Sequence, residues 1–233
     1  MKSAFALVGL FTLVSATVDD DSASQERASE PYVLTTCPMS GEELGARSES
    51  VVVVDRGREL ELCCAHCAEN LEANADEVHA AADAAMAADQ RPFYPLDTCI
   101  ISGEPLTQEG EDVGRDVVVK NRLFRVCCEH CEGLVRGEGM EAAFERLDAA
   151  VVEAQRPEYP LEMCAVNKRG ALGSMGEPTE QIVANRLVRF CCANCEPRFL
   201  RNPRRYLPAV DAAWAPIHAR AAEAEGEGEG EDG

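Results

Sequence analysis

Apolar residues run almost unbroken from Ala4 to Val14 and give way to Asp19-Asp20-Asp21. Behind a single basic residue, Lys2, and ahead of Val14 and Ala16 at the small-residue positions that precede cleavage, this run has the form of a secretory signal peptide over residues 1–16. It is shorter than the ~18 to 20 apolar residues of a membrane span. No membrane insertion is therefore expected after cleavage. The later apolar positions fall into three matching sets. Residues 51–54 and 59–63 flank the turn Asp55-Arg56-Gly57-Arg58; residues 117–120 and 123–127 flank Asn121-Arg122; residues 181–184 and 187–191 flank Asn185-Arg186. Short alternating runs about such turns predict three hairpins. Beyond each, the period becomes helical: residues 75–90 and 140–155 read as Ala-rich helices, and Pro203 opens a matching one to about Arg220.

The cysteines keep the same period. Cys37, Cys99 and Cys164 each precede a hairpin, and the clusters Cys63-Cys64-x-x-Cys67, Cys127-Cys128-x-x-Cys131 and Cys191-Cys192-x-x-Cys195 each follow one, 64 residues apart. Twelve cysteines thus form three sets of four. The joints Gln90-Arg91-Pro92-Phe93-Tyr94-Pro95-Leu96 and Gln155-Arg156-Pro157-Glu158-Tyr159-Pro160-Leu161 also correspond. The fold class expected is α+β: three small tandem zinc-finger-like units at 31–92, 93–157 and 158–222, each a turn, a β-hairpin and one or two helices, stapled by cysteines. Residues 17–30 form an acidic linker, and 223–233 an acidic Gly/Glu tail expected to be disordered.

The chain of 233 residues carries a net charge of -20. Such acidity argues against nucleic acid or anionic lipid as partners, and leaves metal ions and a protein partner. Only the third unit is basic, and its Arg198, Arg201, Arg204 and Arg205 are read as a solvated face drawn toward the acidic units. A unit of ~65 residues seldom folds without a metal, a disulfide or a partner. If Cys63, Cys64 and Cys67 share the first turn of a helix, their sulfurs fall within one arc. With Cys37 they make a four-sulfur site of the kind zinc prefers, and with one sulfur left out a three-thiolate site suited to Cu(I) or another soft metal.

At these residues the chain resembles the TRASH and YHS families of small treble-clef-like metal-binding modules. The match lies in Cys37 with Cys63 and Cys67, Cys99 with Cys127 and Cys131, and Cys164 with Cys191 and Cys195. It extends through the Tyr-Pro-Leu-x-x-Cys starts at Tyr94 and Tyr159 and over the stretch 190–207. The resemblance implies zinc or a heavier metal, about three ions per chain, in sensing, trafficking, sequestration or resistance. Ser40 and Ser102 stand where a second knuckle cysteine would be, so Cys64, Cys128 and Cys192 are candidates for the missing ligand. The third unit has Asn167-Lys168 in place of the Ser-Gly pair, which makes its site the weakest one expected.

Two other readings use the same cysteines. A secreted or periplasmic chain sits where thiols oxidise, so a disulfide-stapled interaction scaffold is one. Adjacent cysteines such as Cys63 and Cys64 cannot bridge each other without strain, which counts against it. The other is a thiol oxidoreductase using the C-x-x-C at Cys64 and Cys128, but a hairpin stands where that chemistry needs a βαβ frame. His66 and His130 are read as exposed helix residues, because Asn194 takes their place in the third copy. A non-enzymatic metal-binding protein is the reading preferred.

Overall fold

The computed structural model describes residues 29–46 and 48–228. The expected signal peptide, residues 17–28 of the linker and residues 229–233 of the tail lie outside the described residues. The fold is α+β, with small two-stranded hairpins followed by helices. Strands β1 (Val51–Asp55) and β2 (Arg58–Leu62) lead into the short α1 (Ala65–Glu69) and the long α2 (Ala75–Gln90). A minor hairpin, β3 (Thr107–Gln108) and β4 (Glu111–Asp112), precedes β5 (Arg115–Val119) and β6 (Arg122–Val126), then α3 (Glu129–Arg136) and α4 (Met140–Gln155). Strands β7 (Thr179–Val183) and β8 (Arg186–Phe190) lead to α5 (Glu196–Leu200) and α6 (Leu207–Gly228).

All three main hairpins are antiparallel with five paired positions and a two-residue turn. Both turn residues take positive φ: Arg56 and Gly57, Lys120 and Asn121, Ala184 and Asn185. That is the conformation whose twist matches paired strands. The turns therefore fall one residue earlier than the sequence pattern placed them in the second and third hairpins. Asn tolerates this region, and the Asn121 amide is fastened there by donating to the carbonyls of Glu30 and Glu59 at 2.8 and 2.7 Å. Tertiary bonds thus offset the strain at Lys120.

Alternation decides which face each hairpin buries. Leu60 and Leu62 pack on Val78, Ala82 and Met86 of α2; Val117, Phe124 and Val126 on Phe144, Leu147 and Val151 of α4; Val188 and Phe190 on Phe199, Val210 and Trp214. The opposite faces are used as well. The cross-strand pair Val118 and Leu123 joins the α2 cluster, and Leu187 joins the α4 cluster. Helices α2 and α4 thus each lie between their own hairpin and the next one. The fully buried Gln90 at the end of α2 donates to the Asn121 carbonyl and accepts from Leu123 N, both at 2.9 Å. Gln155 of α4 repeats this with Asn185 and Leu187, at 2.8 Å each.

Two helix boundaries differ from expectation. Pro203–Arg205 form a separate 3-10 turn, and α6 begins at Leu207. It then runs past Arg220 to Gly228, so residues 223–228 are helical and not part of a disordered tail. Ala and Glu, both strong helix formers, fill 221–225 and outweigh the cost of about 1 kcal/mol at each glycine beyond them. Among the described residues no helix is long and apolar enough to cross a membrane.

Candidate metal centres

Three sulfur sets form where each hairpin meets its short helix. Cys37, Cys63 and Cys67 converge, as do Cys99, Cys127 and Cys131, and Cys164, Cys191 and Cys195; within each set all sulfurs lie within 4.8 Å of one another. The first cysteine of each arrives on a tight loop. Cys37 N donates to the Glu42 carbonyl at 2.8 Å and Cys99 N to that of Glu104 at 2.7 Å, while Gly41 and Gly103 turn the chain back at positive φ. The second stands at the end of the hairpin's second strand. The third enters from the helix: Cys67 in α1, Cys131 in α3 and Cys195 as the cap of α5.

The remaining cysteine of each set is placed differently from the helical arc expected of it. Cys64 and Cys128 are N-caps in extended conformation, with φ of -165° and -156°, and the helices begin only at Ala65 and Glu129. Cys64, Cys128 and Cys192 fall outside the three converging sets, though near them: Cys64 Sγ is 3.8 Å from Cys63 Sγ, and Cys192 Sγ is 4.0 Å from Cys195 Sγ.

The edges of the sets suit a metal. Sulfur separations are 3.7 Å for Cys63 and Cys67, 3.8 Å for Cys127 and Cys131, and 3.9 Å for Cys191 and Cys195. A tetrahedral ion with metal–sulfur bonds of about 2.3 Å has edges of about 3.8 Å. A disulfide would need about 2.05 Å. All twelve cysteines carry free thiols.

Polar groups from the loops stand against the sulfurs. Ser40 Oγ lies 3.3 Å from Cys63 Sγ, and Ser102 Oγ 3.4 Å from Cys127 Sγ. The serines at the vacant ligand positions therefore face the sulfurs. Backbone N–H groups do the same: Ser102 N donates to Cys99 Sγ at 3.5 Å and Asn167 N to Cys164 Sγ at 3.3 Å.

The third loop closes by another route. Lys168 does not take positive φ; the loop is one residue longer, and Cys164 N donates to the Gly170 carbonyl at 2.9 Å. The reason for expecting the third site to be the weakest, a missing Gly turn, is thereby removed. Gly170 is required for a different reason: a Cβ there would come within 2.8 Å of Cys191 Sγ.

These contacts divide the thiols. Burial raises the Cys37 thiol, but the Ser40 hydroxyl and the N–H groups of Cys63, Ser40 and Met39 outweigh it and bring it down to about 7. Cys99 is lowered to about 6 against the same burial, by the Ser102 side chain and N–H and by the N–H groups of Cys127 and Ile101. Cys164 is also lowered. Cys67, Cys131 and Cys195 are pushed up to about 12, first by burial and then by the neighbouring thiols. Several thiolates crowded together repel, and a bound cation is what relieves that repulsion.

No family model, curated protein or solved structure matches this chain. The chemistry is carried by its own geometry: three groups of cysteines that can hold metal ions. His66 and His130 are exposed, as expected. His79 is bound to Asp55 at 2.6 Å, and His218 stacks on Trp214 with centroids 5.6 Å apart. Arg204 reaches the first hairpin and pairs with Glu61, in line with a basic face drawn to acidic residues.

Proposed function

We propose that this is a secreted or periplasmic metal-binding protein of three tandem modules, 31–92, 93–157 and 158–222, each taking one zinc or softer ion between three cysteine thiolates. The observation that carries the reading is the same convergence of three sulfurs, at metal-like separations, three times in one chain. Sulfurs 3.7 to 3.9 Å apart stand well beyond the ~2.05 Å of a disulfide, which favours metal over a stapled scaffold. The similarity to TRASH and YHS modules points the same way, toward trafficking, sequestration or resistance. The protein is a binder and not an enzyme in this reading, because a hairpin stands before each C-x-x-C where thiol oxidoreductase chemistry needs a βαβ frame.

The test is elemental analysis of the full chain and of Cys63→Ser, Cys127→Ser and Cys191→Ser, each purified with reductant and zinc. The full chain should hold about three ions and each variant about two, since each thiolate of a three-sulfur site is indispensable. Equal metal content in all four proteins would refute the proposal.

A further inference from the structure

The fourth cysteine of each set stands outside the three converging sulfurs, and it recurs in all three sets. Cys128 is exposed and Cys64 and Cys192 are half-exposed. The converging sulfurs are buried, Cys127 alone being half-exposed. Each fourth thiol therefore stands between solvent and a sulfur set. The separations of 3.8 Å from Cys64 to Cys63 and 4.0 Å from Cys192 to Cys195 are the edge lengths of a metal–thiolate polyhedron. An ion bound to the outer sulfur thus already lies within bonding range of an inner one.

We propose that Cys64, Cys128 and Cys192 are transfer ligands, through which each site takes a soft metal ion from, and returns it to, a thiol-bearing donor or acceptor. This rests on the metal-binding reading and adds the chemistry of the exchange partner. The first step is ligand substitution. A sulfur–metal bond forms at Cys64, the bond from the metal to the donor's sulfur breaks, and the proton given up by Cys64 passes to the departing donor thiolate. The second step moves the ion inward. Bonds form to Cys63, Cys67 and Cys37, whose protons are released, the Cys64 bond breaks, and Cys64 regains one proton from solvent. The metal keeps its oxidation state throughout. Associative exchange of this kind needs one thiol outside the buried set but within reach of it, which is where the chain puts one each time.

The test uses the full chain and the triple variant Cys64→Ser, Cys128→Ser, Cys192→Ser, with Cd(II) supplied as its 2-mercaptoethanol complex and uptake followed by stopped-flow absorption of the sulfur–cadmium band. Both proteins should bind the same number of ions, and the variant should take them up roughly tenfold more slowly, a loss of the size seen when a partner of a metal site is removed. An unchanged rate would overturn the transfer role. So would a lower ion count in the variant, which would make the fourth thiol a permanent ligand. No uptake by the unaltered chain would instead defeat the metal-binding reading itself. Alkylation of the cadmium-loaded chain by iodoacetamide gives a second measurement that needs no variant. Cys64, Cys128 and Cys192 should be modified and the other nine protected; protection of all twelve would contradict the proposal.

Discussion

Gly170 shows how a single residue sets a site that the cysteine spacing only announces. Its missing Cβ lets the third loop pass against Cys191, and Asn167 Nδ2, 4.0 Å from that sulfur, takes the place of the Ser40 and Ser102 hydroxyls. Gly170→Ala should push Cys191 off the set and lower the metal content from about three ions to about two, read by elemental analysis, with the other two sites intact. Retention of all three would show that the loop can yield. The cysteines themselves were legible, because three clusters 64 residues apart, each with one more cysteine ahead of its hairpin, are not a chance arrangement. The placing of the fourth cysteine was not: Cys64 and Cys128 are extended N-caps ahead of α1 and α3, where the helical wheel placed them inside. The role of Gly170 was hidden because it stands six residues after its cysteine where Gly103 stands four after its own, and a close approach to sulfur leaves no mark in the sequence.

The hairpins and long helices follow from apolar periodicity, and the repeated joint acquires its meaning only from their packing. Gln90 and Gln155 each end a helix, and each satisfies a carbonyl and an N–H of the following hairpin turn. Two residues of the same joint act alike: the hydroxyls of Tyr94 and Tyr159 accept from Arg125 N and Arg189 N at 3.0 and 3.1 Å. Tyr32 stands at the same five-residue distance before its cysteine, but its hydroxyl donates to the Thr36 carbonyl instead. Gln155→Leu would leave Leu187 N buried without a partner. Denaturant unfolding should show a loss of about 1–3 kcal/mol, and a change within error would mean that α4 holds β8 by apolar contact alone. The end of α6 was harder to place, because alternating Glu and Gly has the composition of a disordered tail while the Ala and Glu before it carry the helix onward.

Across the whole molecule, a buried arginine after each main turn ties hairpin to helix. Arg58 pairs with Asp83, Arg122 with Asp148 at 2.9 Å and Arg186 with Asp211 at 2.6 Å. Arg122, 1% exposed, also meets Glu30 at 2.7 Å and the Asn185 side chain. Arg122→Ala would strand two carboxylates near a buried site and should cost about 3–5 kcal/mol in unfolding free energy; a loss below about 1 kcal/mol would place these charges in effective contact with water. The arginines share the 64-residue period of the cysteines, but nothing in a charged residue's spacing says that it is buried.

The thiols give the molecule a pH dependence of defined sign. Cys67, Cys131 and Cys195, held at about 12, must shed protons to bind a cation, so affinity should rise with pH throughout the neutral range. Cys37 and Cys99 add nothing well above about 7 and about 6, and each adds one competing proton as pH falls through its own value. Chelator competition from pH 5 to 9 should therefore show affinity falling more steeply on the acid side. A flat profile would mean that the thiols are not the ligands.

Native mass spectrometry of the full chain, with and without chelator, weighs metal against disulfide in a single spectrum. Protein purified under reducing conditions with zinc should carry three metal ions and the mass of twelve reduced cysteines, and chelator should remove the metal without changing the mass of the chain. A species without metal, lighter by the hydrogens lost to disulfides, would show that the three sulfur sets are not metal centres.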